Sequence, residues 1–129
     1  MKRIFIAVSV ALMLIPLLVG CNGDNNKNVY EQITPAEAKA IMDNENGYVI
    51  LDVRTQEEYD EAHIDGAILI PDYEIADKAE SILKDKDQLL LVYCRSGRRS
   101  KLAAEELVKL GYTNVKEFGG IMDWPYETV

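Results

Sequence analysis

The sequence predicts an α/β domain, a parallel β-sheet covered by helices on both faces. Three observations predict it. From about residue 30 onward, short apolar runs alternate with helix-start signals, the order that builds a parallel sheet with crossover helices. The most apolar run, Leu89-Leu90-Leu91-Val92-Tyr93, lacks the polar alternation of a half-exposed strand and suits a central strand buried on both faces. The chain has 129 residues, enough for one domain and too few for two. Four prolines and eight glycines are too few for a low-complexity chain, and no internal repeat is found.

The elements follow in order. Thr34-Pro35-Ala36-Glu37 opens a helix to about Asn44, with Thr34 as cap, Pro35 at the first helical position and Glu37 closing a capping box. Tyr48 to Asp52 is a short apolar strand, and Thr55-Gln56-Glu57-Glu58 is a second capping box, for a short helix to about Glu61. Ala67 to Ile70 reads as a strand stopped by Pro71, followed by a helix from about Ile75 to Leu83. After the Leu89–Tyr93 strand, Ser100 to Leu110 reads as an amphipathic helix, with Leu102, Ala103, Leu107 and Leu110 inward. Gly111 ends it. Val115 to Phe118 is a last short strand, Gly119-Gly120 a turn, and Ile121 to Trp124 a final helical turn.

In an open parallel sheet the crevice lies at the carboxyl ends of the strands. Cys94 falls there, just past the most apolar strand, in Tyr93-Cys94-Arg95-Ser96-Gly97-Arg98-Arg99-Ser100. A thiol acts as a nucleophile when ionised. The helix that follows directs its positive end at the loop, and Gly97 permits a tight turn in which successive N–H groups face inward. Arg95, Ser96, Gly97, Arg98 and Arg99 are therefore the candidate binding residues for a small anion, with Cys94 as nucleophile and its sulfur expected to be reachable. An inert, buried cysteine at a strand end is the plainer alternative.

Four segments together resemble the rhodanese family. Leu51-Asp52-Val53-Arg54 with Glu57-Glu58-Tyr59 is similar to its Asp-x-Arg stretch, and His63-Ile64-Asp65-Gly66-Ala67 with Ile70-Pro71 to its His-Ile-x-Gly-Ala…Pro stretch. The Cys94 loop resembles its active-site loop, and Gly119-Gly120 through Trp124 its closing Gly-Gly-x-x-x-Trp. The resemblance runs from about Gln32 to Trp124. It implies a three-layer domain with about five parallel strands, and a sulfurtransferase that works through a Cys94 persulfide. A small anionic donor, thiosulfate or a persulfide, would supply the sulfur, and a thiol or protein cysteine would accept it. Asp52 and Arg54 would hold the back of the loop by ion pairing, with Ser100 as further support. His63, the one histidine, is expected to be structural, and Trp124 to be a core or lid aromatic.

Two alternatives stay open. Phosphatases and arsenate reductases built on the same fold use His-Cys, five residues and then Arg. Here Tyr93 precedes the cysteine, and Ser100 stands where that arginine would be. A non-catalytic persulfide carrier or redox-sensing module is the other, since a thiolate outside the cytosol is open to oxidation. No His/Cys cluster has metal spacing and no nucleotide fingerprint is present, so neither metal nor cofactor is expected.

The start of the chain reads as an address. Lys2 and Arg3 precede a sixteen-residue apolar run, Ile4 to Val19, short for a membrane span and interrupted by Pro16. Leu18-Val19-Gly20-Cys21 resembles the lipobox of bacterial lipoproteins. That resemblance implies cleavage before Cys21 and acylation of it, so residues 1–20 are a signal peptide, 21–29 a polar tether and 30–129 the domain. Two or more acyl chains anchor a protein without a spanning helix, at about 0.8 kcal/mol per buried CH₂. The expected place is the outer side of a bacterial membrane, in the cell envelope, and a monomer is expected. The net charge is −8, or −10 without the first twenty residues, which disfavours nucleic acid as a partner.

Overall fold

The computed structural model describes residues 29–129. The leader, Cys21 and most of the tether lie outside the described residues. Among the described residues no helix is long and apolar enough to cross a membrane.

Five parallel strands form one sheet: β1 (Glu31–Gln32), β2 (Tyr48–Asp52), β3 (Ile68–Leu69), β4 (Leu89–Cys94) and β5 (Val115–Gly120), in the order β1-β5-β4-β2-β3. Helices α1 (Pro35–Asn44), α2 (Gln56–Glu61), α3 (Ile75–Ile82) and α4 (Arg98–Lys109) connect them. The expected three-layer α/β architecture is thus present, and β4 is central, with Leu90 through Cys94 all buried. The alternation of β4 divides the core. Leu90, Val92 and Cys94 pack with Leu51, Ile75 and Leu107 on the α3/α4 side, whereas Leu91 and Tyr93 pack with Ala38, Phe118 and Trp124 on the other. Burying a side chain such as Leu107 contributes about 1.5–3 kcal/mol, so either face is destabilised by truncation.

The caps follow the sequence, with one difference. Thr55 and Glu58 form a complete capping box at α2. At α1, Thr34 accepts the Glu37 amide, but the Glu37 carboxylate takes the Thr34 hydroxyl instead of its amide. At the end of α4, Gly111 (φ +97°) and Tyr112 return N–H bonds to Val108 and Leu107, a Schellman ending that the lack of a Cβ at Gly111 permits.

One strand was not foreseen, and three expectations are corrected. The two-residue β1 carries no apolar pattern and is held by pairing with Lys116 and Glu117 of β5. The strand read from Ala67 to Ile70 pairs only over Ile68–Leu69, and a 3₁₀ turn over Asp72–Glu74 precedes α3. Leu102 is exposed; the inward face of α4 is Ser100, Ala103, Ala104 and Leu107, the i, i+3, i+4, i+7 set. Gly119 and Gly120 are the end of β5 and not a turn, with Gly120 in register with Cys94 across a bulge.

Candidate active site

Cys94 ends β4 on the face that meets α4. The chain then turns through Arg95-Ser96-Gly97 into α4, and Gly97 (φ +101°) is the left-handed N-cap, a conformation that suits glycine. Having no side chain, Gly97 cannot cap the helix, so the first amides of α4 stay available to an anion. The Gly97 N–H donates to Cys94 Sγ at 3.0 Å. It is the loop amide that reaches the sulfur in this conformation, where a wider cradle was expected.

The expectation of a reachable sulfur is also corrected. Cys94 is a free thiol with 0% of its surface exposed. Backbone seals it. The Met122 N–H donates to the Arg95 carbonyl at 3.1 Å, and the Arg95–Ser96 peptide lies directly on Gly120. A Cβ at Gly120 would stand 2.5 Å from the Ser96 nitrogen and closer still to the Arg95 carbonyl. The two glycines serve different needs, Gly119 backbone conformation and Gly120 packing. Gly119 adopts φ +89° with open space around it, and Gly120 has no room for a side chain.

Below the sulfur lies a residue that sequence reasoning did not single out. Cys94 Sγ contacts Ser100 Oγ at 3.3 Å. Ser100 donates at 2.7 Å to Oε1 of Glu117, which also accepts the Gly119 amide at 2.8 Å. Glu117 is only 2% exposed. The available signal was strand alternation, which places Glu117 on the same face as Val115, toward α4.

The three arginines part company. Arg95 and Arg98 are exposed, as is Ser96. Arg99 is held by Glu58 of α2 through two bonds, 2.6 and 2.9 Å long, so this guanidinium is a clamp between helices before it is an anion ligand. The Arg99 bonds hold the Glu58 carboxyl at about 2, below the usual carboxylate range, and the same bonds raise Arg99.

Asp52 and Arg54 form a buried pair, with Nη2 to Oδ2 at 2.7 Å. Arg54 also donates to the Ala62 carbonyl at 2.6 Å. Tyr93, the residue before the cysteine, donates its hydroxyl to Asp52 at 2.6 Å and accepts the Ile64 amide at 3.1 Å. Burial, reinforced by the bond to Asp52, raises the Tyr93 phenol. The pair thus braces the strand end that carries Cys94, and every buried polar side-chain atom among the described residues has a partner. His63 stacks on Tyr59 with ring centroids 3.8 Å apart and shares two backbone bonds with Val129. Trp124 is 8% exposed and packs against Phe118 and Tyr126. Outside the loop, an open cleft of about 600 Å³ is lined by Arg54, Arg95, Glu58, Glu61, Met122 and Tyr126 among others, so Arg95 is the loop arginine that borders it.

Comparisons with known proteins agree on one family. The model of the rhodanese-like domain matches residues 34–126. The chain is 41% identical over 73 residues to thiosulfate sulfurtransferase PspE of Escherichia coli (strain K12), covering 57% of this chain and 70% of that protein. It is 34% identical over 110 residues to the putative sulfur carrier protein YrkF of Bacillus subtilis (strain 168), covering 84% of this chain and 58% of that longer protein. Among solved structures, a rhodanese with anions from E. coli superposes with a TM-score of 0.60 at 38% identity, covering 64% of this chain and 96% of that one.

Proposed function

We infer the function from one premise, that this chain belongs to the rhodanese-like family, whose model matches most of its length. It is a sulfurtransferase. Cys94 attacks the outer sulfur of a small anionic donor, thiosulfate or a persulfide, keeps that sulfur as a persulfide, and passes it to a thiol or protein-cysteine acceptor. The observation that carries this reading is the position of Cys94 at the end of the central strand, with the Gly97 amide on its sulfur and the uncapped start of α4 beside it. Amides and guanidiniums aimed at the place where charge gathers stabilise it most in a site that excludes water. Arg95 and Arg98 attract the donor. The anions named for the similar E. coli rhodanese support an anion site in this one.

A phosphatase reading loses support from the loop itself: Tyr93 stands before the cysteine, and Ser100 occupies the position where a phosphate-binding arginine would stand. The carrier reading has one observation in its favour, the sealed sulfur, and the name of the similar YrkF. A carrier holds sulfur stoichiometrically, whereas an enzyme turns over.

The test incubates the full chain with thiosulfate, reads intact mass, then adds cyanide and measures thiocyanate. The expected result is a gain of one sulfur atom, many turnovers, and loss of both in Cys94→Ser with the fold intact. One equivalent released without turnover supports the carrier. A protein that stays unmodified and hydrolyses an aryl phosphate overturns the assignment. By its sequence the domain works at the outer face of a bacterial membrane, as a monomer tethered by acylated Cys21. Cys21→Ala should release it from membranes, and continued sedimentation with them would reject the anchor.

A further inference from the structure

We propose that Glu117 takes up the proton of the Cys94 thiol through Ser100, acting as a positioning residue for the sulfur-transfer step. The proposal rests on the sulfurtransferase reading and deepens it.

The hydrogen bonds set the direction. Ser100 has one hydroxyl proton. Its short contact, 2.7 Å, is to Glu117 Oε1, and the alternative acceptor, the Gly119 carbonyl, is at 3.4 Å. With that proton directed at the carboxylate, the lone pairs of Ser100 Oγ face Cys94 Sγ at 3.3 Å and accept from the thiol. The resting chain is thiol to hydroxyl to carboxylate. Activation moves two protons in one direction. The S–H bond breaks and an O–H bond forms on Ser100, while the original Ser100 O–H bond breaks and one forms on Glu117. Thiol plus carboxylate becomes thiolate plus carboxylic acid, with no change in net charge and no co-reactant.

Electrostatics favours one negative charge shared over two held apart. Sulfur and carboxylate are two short contacts apart in a sealed place, inside the range of about 4–6 Å over which like charges disfavour each other. When the thiolate attacks the donor, an S–S bond forms to the outer sulfur and the donor's own S–S bond breaks, its electron pair leaving on sulfite. The proton stays on Glu117 until the acceptor removes the sulfur and regenerates the thiolate, which takes it back. On the sulfur side the facing charged group is Arg99 with Glu58 and Asp72 near it. On the carboxylate side they are Tyr30, Lys101 and Asp123. None of these stands between the two ends of the chain.

The experiment needs no substrate, so it stands or falls apart from the sulfurtransferase reading, which the thiosulfate mass gain tests. The thiolate ultraviolet absorbance of Cys94 is the difference between the full chain and its Cys94→Ser variant across pH. Glu117→Gln keeps an acceptor oxygen for Ser100 and Gly119 but cannot take the proton at neutral pH, and Ser100→Ala breaks the wire. Circular dichroism establishes that each variant is folded. The expected result is that both substitutions lower the neutral-pH thiolate signal by about tenfold or more. A merely structural carboxylate would leave the titration unmoved, and a spectator charge would, once removed, raise the thiolate signal. Either outcome overturns the proposal, as does a fall in Glu117→Gln with none in Ser100→Ala.

Discussion

Gly120→Ala separates the closed loop from every other feature of the site. The backbone at Gly120 is ordinary extended chain (φ −126°, ψ 158°), so alanine adds no torsional strain and acts through its Cβ alone. That Cβ would stand 2.5 Å from the Ser96 nitrogen, where real contacts stay beyond 3.0 Å. The Arg95–Ser96 peptide must therefore retreat by roughly 1 Å, because interiors are packed too densely to absorb the overlap. Overpacking of this kind costs about 1–3 kcal/mol, and a domain of this size loses about 4–8 °C of melting temperature per kcal/mol. A misplacement of about 1 Å at a reacting centre lowers rates about 10²-fold. The retreat also breaks the Arg95–Met122 latch and uncovers Cys94. Three measurements follow: urea unfolding, thiosulfate-to-cyanide transfer, and alkylation of Cys94 by a neutral reagent, with Cys94→Ser to subtract Cys21. Gly66→Ala is the control, since Gly66 has φ +81° and nothing within 4 Å. It carries strain of about 1–2 kcal/mol but leaves the loop alone. Gly120→Ala should alkylate faster and transfer sulfur far more slowly than Gly66→Ala. Equal alkylation and transfer in the two variants would refute the reasoning.

The Glu58–Arg99 clamp predicts a pH signature. The Glu58 carboxyl falls from 4.5 to about 2, which sets a ceiling of about 3 kcal/mol, reduced to about 1–2 kcal/mol because the pair is partly exposed. A depressed carboxylate stabilises above its unfolded value and loses that contribution as pH falls from about 4.5 toward 2. Glu58→Gln, which can retain the Thr55 cap, should therefore be less stable at pH 7 and converge with the parent near pH 2 in urea titrations; a constant gap would refute the charge argument. Arg98→Ala should reduce use of thiosulfate several-fold relative to an uncharged organic trisulfide donor and change stability by no more than about 0.5 kcal/mol. Arg99→Ala should chiefly destabilise, and parallel effects of the two on donor choice and unfolding would remove the distinction drawn between them. Tyr93→Phe leaves the Ile64 amide without its partner and removes one of the three bonds to Asp52 Oδ2, and should cost about 1–3 kcal/mol in unfolding experiments. A stability unchanged within error would show that the hydroxyl braces nothing.

The parts of the fold legible in the sequence are those with local causes. Thr55 and Glu58 announce α2 because a capping box is a four-residue event, and Leu89 to Tyr93 announce the central strand because burial on both faces leaves no room for polar alternation. β1 was silent because its two residues are held by pairing with β5 and not by any pattern of their own. Leu102 was misplaced because reading apolar residues off α4 overlooks that Ser100 and Ala104 hold the inward positions. In the site, Cys94 and the arginines were visible as types in a loop. Which arginine is engaged depends on Glu58, 41 residues away in sequence. Alternation within β5 puts Glu117 on the Val115 face, but its bond to Ser100 and the contact at Gly120 exist only once β5 lies beside β4, and no spacing within either segment carries those.

The sealed sulfur and the proposed chemistry are compatible because the seal is slight. On the inner side Cys94 packs in the core cluster with Leu51, Ile75 and Leu107; on the loop side the chain is held by one backbone hydrogen bond, Met122 to Arg95, and by the packing of the Arg95–Ser96 peptide on Gly120. A hydrogen bond of this kind contributes about 0.5–1.5 kcal/mol net, so opening that breaks it alone leaves a population on the order of a tenth, and loop motions exchange on timescales of about nanoseconds to microseconds. The slow alkylation of the parent protein, set against Gly120→Ala, measures that population directly. The latch sits on the carbonyl of Arg95, whose exposed side chain is among the first to meet an incoming anion.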